Sequence, residues 1–170
     1  MARLMALDVG DARIGVAVCD AREALASPYT TLHVTRDEAQ TFAAIQRLVD
    51  ETDAEGLVVG LPISMDGQIH SQGKHVQKFV ERLKLHIYVP LIFWDERLST
   101  VEARRLLTQR YQPLDGEWGE DVGRTRQTRS TRRRTKAKRQ NRAQEIDALA
   151  AAVILQDYLD SQSRKIEGTI

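Results

Sequence analysis

A single cysteine, Cys19, stands in 170 residues, so the chain can close no disulfide within itself and build no thiolate zinc cluster. In the apolar run Ile14-Gly15-Val16-Ala17-Val18-Cys19 it reads as a small core residue. Histidine is equally sparse. Of His33, His70, His75 and His86, only His70 and His75 lie close together, and a spacing of five does not put two ligands on one helix face, so no histidine-held transition metal is expected. No apolar run approaches the ~18 residues that cross a bilayer, and no basic region followed by a long apolar stretch opens the chain. The expectation is a cytoplasmic protein without a membrane partner. Internal repeats, a glycine-rich adenosine loop and a base-reading module are also missing from the sequence.

What is present is enough apolar residue, 42% of the chain, for one proper core, most simply a single domain over 1–170. The net charge of +1 hides a segregation. Ten of the 25 Lys and Arg fall between Arg124 and Arg142 with no acid among them, so 15 basic residues face 24 acidic ones in the rest of the chain, a net −9. With Gly116, Gly119, Gly123 and many Ser and Thr nearby, residues 113–142 read as a flexible basic insertion loop. A loop of that charge suits a polyanion, because phosphate neutralisation releases condensed counterions. Arg132, Arg133, Arg134, Lys136, Lys138 and Arg139 are its candidate nucleic-acid contacts.

Hydropathy patterning predicts strands over 3–9 and 13–19 joined by a tight turn at Gly10-Asp11, and a third strand within 25–34. Phe42, Ile45 and Val49 mark an amphipathic helix over 37–53. A buried strand at 56–60 follows, then a helix bearing Val76, Phe79, Val80 and Leu83, and a strand over 87–94. Ser99-Thr100-Val101-Glu102 has capping-box spacing and opens a helix with Ala103, Leu106, Leu107 and Tyr111 on one face. After a loop over 112–142, a last helix is expected from about Gln144 to Asp160. Three strands followed by alternating helix and strand imply an α/β mixed sheet, antiparallel at its start and parallel later, with helices on both faces. In such a sheet the ligand site lies at the carboxyl ends of the parallel strands.

Three acids interrupt this apolar pattern. Asp8 sits inside Leu4-Met5-Ala6-Leu7-Asp8-Val9-Gly10, where a buried carboxylate is costly unless a cation or hydrogen-bond donors hold it. A hairpin with turn glycines accounts for Gly10 and Gly15 but not for Asp8. Asp95-Glu96 closes the apolar run 87–94; a charged loop feeding a capped helix explains Ser99 and Glu102 and leaves Glu96 over. Asp147 breaks the stretch Ile146 to Leu155, and by itself reads equally well as a first-turn carboxylate complementing a helix dipole. Together, Asp8, Glu96 and Asp147 are candidate hard-oxygen ligands of a divalent-metal centre.

Asp8-x-Gly10 with Gly15-Val16-Ala17-Val18-x-Asp20, Gly60-Leu61-Pro62-x-x-Met65-Asp66-Gly67, Asp95-Glu96-Arg97-Leu98-Ser99-Thr100, and Ile146-Asp147-Ala148-x-Ala150-Ala151 run in order along nearly the whole chain. In these blocks the sequence resembles the YqgF-type family, described as Holliday-junction resolvases and as nucleases maturing the 5′ end of the small-subunit ribosomal RNA precursor. The resemblance implies a ribonuclease H-like fold, Asp8, Glu96 and Asp147 as a catalytic acidic triad, and two Mg²⁺ or Mn²⁺ ions. It departs from the family at Gln144 and Glu145, where lysine is usual, and in the length and charge of 113–142.

Two such ions ~3.5–4 Å apart could generate the nucleophile and stabilise the leaving alkoxide of phosphodiester hydrolysis. Asp8 is then the candidate bridging ligand, Glu96 and Asp147 each serve mainly one ion, and Arg13 and Arg97 are candidates for phosphate contact. Branched DNA and structured RNA both suit a basic loop, and a four-way junction would favour a homodimer. The competing readings are a non-catalytic nucleic-acid-binding processing or transcription factor on the same fold, which only the intact triad opposes, and a small actin-like ATPase, for which one Asp-x-Gly hairpin is too little.

Overall fold

The computed structural model describes residues 3–19, 25–95 and 129–167, with side chains of the last segment given from Gln144 to Arg164. Strands β1 (Leu4–Val9), β2 (Arg13–Cys19) and β3 (Ala26–His33) form an antiparallel meander. Helix α1 (Glu38–Glu51) leads to β4 (Gly56–Leu61), helix α2 (Ser71–Leu83) to β5 (Leu91–Asp95), and α3 runs from Arg129 to Glu167. The sheet order is β3-β2-β1-β4-β5, with β1, β4 and β5 parallel, so β1 is the central strand. The expected mixed sheet is the observed one.

The pleat sorts side chains into two unequal layers. Met5, Leu7, Val9, Ile14, Val16, Leu57 and Val59 pack against Phe42, Ile45 and Val49 of α1 and Val76, Phe79, Val80 and Leu83 of α2. The opposite face offers mostly small groups, Ala6, Ala17, Cys19, Ala26 and Val58, to Ala151, Ala152, Val153, Ile154, Leu155 and Leu159 of α3. Small against small lets α3 lie close to the sheet. Outside the apolar layers, Asp37 caps α1 by accepting from the Ala39 amide at 3.2 Å, and Arg82 pairs with both oxygens of Glu38 at 2.7 Å to tie α2 to α1.

Two expectations are corrected. The strand drawn over 87–94 begins only at Leu91: Pro90 has no amide for a ladder, and Tyr88, three-quarters exposed, donates its hydroxyl to Asp50 at 2.6 Å beyond the end of the sheet. The last helix starts at Arg129 and not near Gln144, so residues 129–142 of the expected loop are helical. From Arg129 to Glu167 there is neither Gly nor Pro, and Arg, Lys, Gln and Ala are good helix formers, which outweighs the loop-like charge density. The expected helix through Ala103, Leu106, Leu107 and Tyr111, and residues 113–128, lie outside the described residues. No described helix is long and apolar enough to cross a membrane.

Candidate metal centre

Asp8 pairs with Gly15 across the β1–β2 ladder, and both belong to the face covered by α3. Gly15 has an ordinary negative φ; its lack of a side chain serves close approach. A Cβ built there would overlap the main-chain carbonyl of Asp147, so the α3 backbone rests directly on β2 beside Asp8. One central-strand acid and one helix acid are thereby brought together by a missing side chain. The long helix also removes the capping explanation for Asp147, which lies deep inside α3, far from the first turn.

The helix is held in this position along its length. The Thr31 hydroxyl donates to the Gln144 carbonyl at 2.6 Å, and the Gln144 side-chain amide lies 2.9 Å from His33 Nε2, so Gln144 docks onto β3. Further along, the Ala26 amide donates to Gln156 Oε1 at 2.9 Å, and Trp94 Nε1 donates to the buried Asp157 carboxylate at 2.8 Å.

Burial, and second the charge of Asp147, push the Asp8 carboxyl up from the ordinary 3.8 to about 6. Among the described residues no side chain donates a hydrogen bond to Asp8. Asp147 is answered by Arg13, whose Nε donates to Oδ2 at 2.5 Å, both groups being partly exposed. The amide of Gly10 bonds the Arg13 carbonyl at 2.9 Å, which fixes the β1–β2 turn at the carboxyl end of β1. Sequence reasoning placed Arg13 among phosphate contacts and missed this ion pair; a cation two positions from Gly15 on the same strand face was the available signal. Strand β5 ends at Asp95, in register with Leu61 at the same carboxyl edge, and the next residue, Glu96, lies outside the described residues, as does Arg97. Among the described residues no three His, Cys, Asp or Glu form a metal-holding group. His70 and His75 stand 3.4 Å from Asp66 and 3.8 Å from Asp11, in exposed pairs.

The raised Asp8 carboxyl makes stability depend on pH. The folded protein keeps this proton up to about pH 6, whereas the unfolded chain releases it near 3.8, so the native state binds more protons in that window. Metal-free protein should therefore lose stability as pH rises from about 4 to about 6, by on the order of 2 kcal/mol. Thermal melts across this range, compared with Asp8→Asn, isolate the contribution; parallel pH dependences in the two proteins would refute it.

A five-stranded mixed sheet in this order, with an acid on its central strand met by an acid from the last helix, defines the ribonuclease H-like class of α/β proteins. Among solved structures, T. thermophilus RuvC in complex with Holliday junction substrate has a similar fold, with a TM-score of 0.54 over 99% of this chain and 98% of that one at 12% identity. Residues 2–117 match the sequence model of RuvX, described as Holliday junction resolvase, and the chain belongs to that family. This agrees with the resemblance seen in its sequence blocks. Curated relatives named "Putative pre-16S rRNA nuclease" include one from Thermoanaerobacter pseudethanolicus, 38% identical over 163 residues that cover 96% of this chain and 99% of the relative. Another, from Roseiflexus sp., is 39% identical over 160 residues covering 94% and 95%.

Proposed function

We propose that this chain is a divalent-metal-dependent nuclease acting on structured nucleic acid, with the 5′ end of the small-subunit ribosomal RNA precursor as its foremost substrate and the Holliday junction as the second. The observation that carries the reading is the pairing of Asp8 with Asp147. A partly buried carboxylate with no described donor sits beside a second negative charge, which is unfavourable for an isolated fold and suited to a hard cation. Asp8, Asp147 and Glu96 would hold Mg²⁺ or Mn²⁺, two ions in all. When bound, these ions supply an activated water and neutralise charge on the leaving oxygen.

The chain's own work is positional. Gly15 sets the separation of helix and sheet, the alanine-rich seam excludes water behind the two acids, and Arg13 answers the charge of Asp147. The relatives' shared name favours ribosomal RNA, and the family description favours the junction; a homodimer would offer a junction two such centres. Cleavage of a ribosomal RNA precursor and of a synthetic four-way junction, assayed side by side with Mn²⁺ and with chelator, tests the reading. Binding of either substrate with metal-dependent cleavage of neither would favour the non-catalytic factor instead.

The basic half of α3 belongs to the same proposal. Between Arg132 and Arg139 the only apolar residue is Ala137, so this stretch has no apolar face to bury. Replacing Arg132, Arg133, Arg134, Lys136, Lys138 and Arg139 with Gln keeps helix formers and removes six charges. The melting temperature should barely move, nucleic-acid affinity should fall, and the dependence of log K on log salt should become shallower by up to ~0.9 for each duplex phosphate that is no longer neutralised. An unchanged salt slope would reduce the segment to a solvated helix.

A further inference from the structure

We infer that Arg13 is a placeholder cation, occupying the Asp147 carboxylate until a divalent ion arrives and competing with that ion for it. The inference rests on the proposed metal centre and names how its occupancy is controlled. Three observations carry it. Arg13 and Gly15 lie two apart on β2 and share the face that meets α3, so the contact that brings the Asp147 backbone onto the sheet also brings its carboxylate to the guanidinium. The Nε–Oδ2 distance of 2.5 Å takes one of the two oxygens that an ion would use. Within the described residues Asp147 is the only side-chain partner of Arg13, and Arg13 the only one of Asp147.

A purely orienting arginine and a placeholder predict opposite signs. If Arg13 only orients Asp147, losing it loosens a ligand and weakens ion binding. As a placeholder, its positive charge opposes a divalent ion a few ångströms away. Coulomb repulsion between one and two unit charges at such a separation outweighs one orienting hydrogen bond even at an effective dielectric near ~20. The charge effect wins, so removing the charge should tighten ion binding. Besides the Nε–H used on Asp147, the guanidinium has two NH2 groups suited to a phosphate, which would link occupancy of the centre to arrival of nucleic acid.

The test is Mn²⁺ affinity of the full chain without nucleic acid, read by calorimetry and by loss of the free-Mn²⁺ paramagnetic signal, in the parent and in Arg13→Gln, Arg13→Lys and Asp8→Asn. Arg13→Gln keeps an N–H donor and drops the charge; it should bind Mn²⁺ roughly tenfold more tightly or better. Arg13→Lys keeps the charge and should stay within about threefold of the parent. Equal or weaker binding by Arg13→Gln would overturn the placeholder while leaving the metal centre intact. Mn²⁺ binding that Asp8→Asn does not reduce would instead sink the metal centre itself. Circular dichroism of each variant separates misfolding from a change in affinity, and if Arg13→Gln fails to fold, Arg13→Met supplies the uncharged arm.

Discussion

Asp8→Asn should lower metal-dependent cleavage by at least about a hundredfold while raising the melting temperature of the metal-free protein at neutral pH. The two effects have one origin. A ligand carboxylate stabilises charge where the reaction needs it, and its loss costs at least as much as the ~10–100-fold known for groups that merely orient ligands. Without an ion, the same carboxylate is an ionised group in a partly buried place beside Asp147, and its carboxyl is already pushed up to about 6. The amide keeps the shape and removes that penalty. A variant that is more stable yet inactive cannot owe its inactivity to unfolding, which makes the pair of measurements stronger than either alone. Cleavage within about threefold of the parent, under roughly 1 kcal/mol of lost transition-state stabilisation, would refute the assignment. Asp147→Asn should act alike and add little to Asp8→Asn, because ligands of one centre function as a unit.

How the sequence announces this centre differs from residue to residue. Asp8 is legible because a charge in a run such as Leu4 to Val9 contradicts the burial that the run itself demands. The sheet is legible for a related reason: period-two and period-3.6 patterns are local, and they fall on the observed β2 (Arg13–Cys19) and within two residues of the ends of α1. Asp147 is only half legible, since a carboxylate near an expected helix start has a cheap local explanation that disappears once α3 is seen to begin at Arg129. That start is hidden by opposing signals: the charge run suggests a loop and the side-chain propensities a helix, and nothing local ranks them. The Arg13–Asp147 pair spans most of the chain and depends on how α3 seats on the sheet, which no window of sequence contains. Tyr88 misleads in the opposite sense, an aromatic in an apolar run whose hydroxyl leaves the strand for Asp50.

Gly15→Ala should be the most damaging single-methyl change in the described chain. Backbone strain is no part of the reason, as Gly15 is an ordinary strand residue with a negative φ. The added carbon would instead overlap the carbonyl oxygen and carbon of Asp147, and these are helix backbone atoms with no rotamer to escape into. Either α3 moves away from the sheet or β2 bows. Moving α3 opens the seam of Ala6, Ala17, Ala151 and Ala152, whose small side chains cannot reach across a wider gap. Overpacking of this kind costs about 1–3 kcal/mol, equivalent to a fall of about 2–12 °C in melting temperature for a chain of this size. Activity should suffer more than stability does, because a displacement on the order of 1 Å between Asp147 and Asp8 is enough to cost ~10²-fold in rate. At Gly10, by contrast, a Cβ would crowd one atom, the Arg13 carbonyl oxygen at 2.9 Å, a much smaller overlap than the one at Gly15, so Gly10→Ala should be the milder change. Thermal melts and cleavage rates of the two variants check the ordering. A Gly15→Ala protein that melts and cleaves like the parent would mean that α3 does not seat on β2 where Asp147 and Asp8 are brought together.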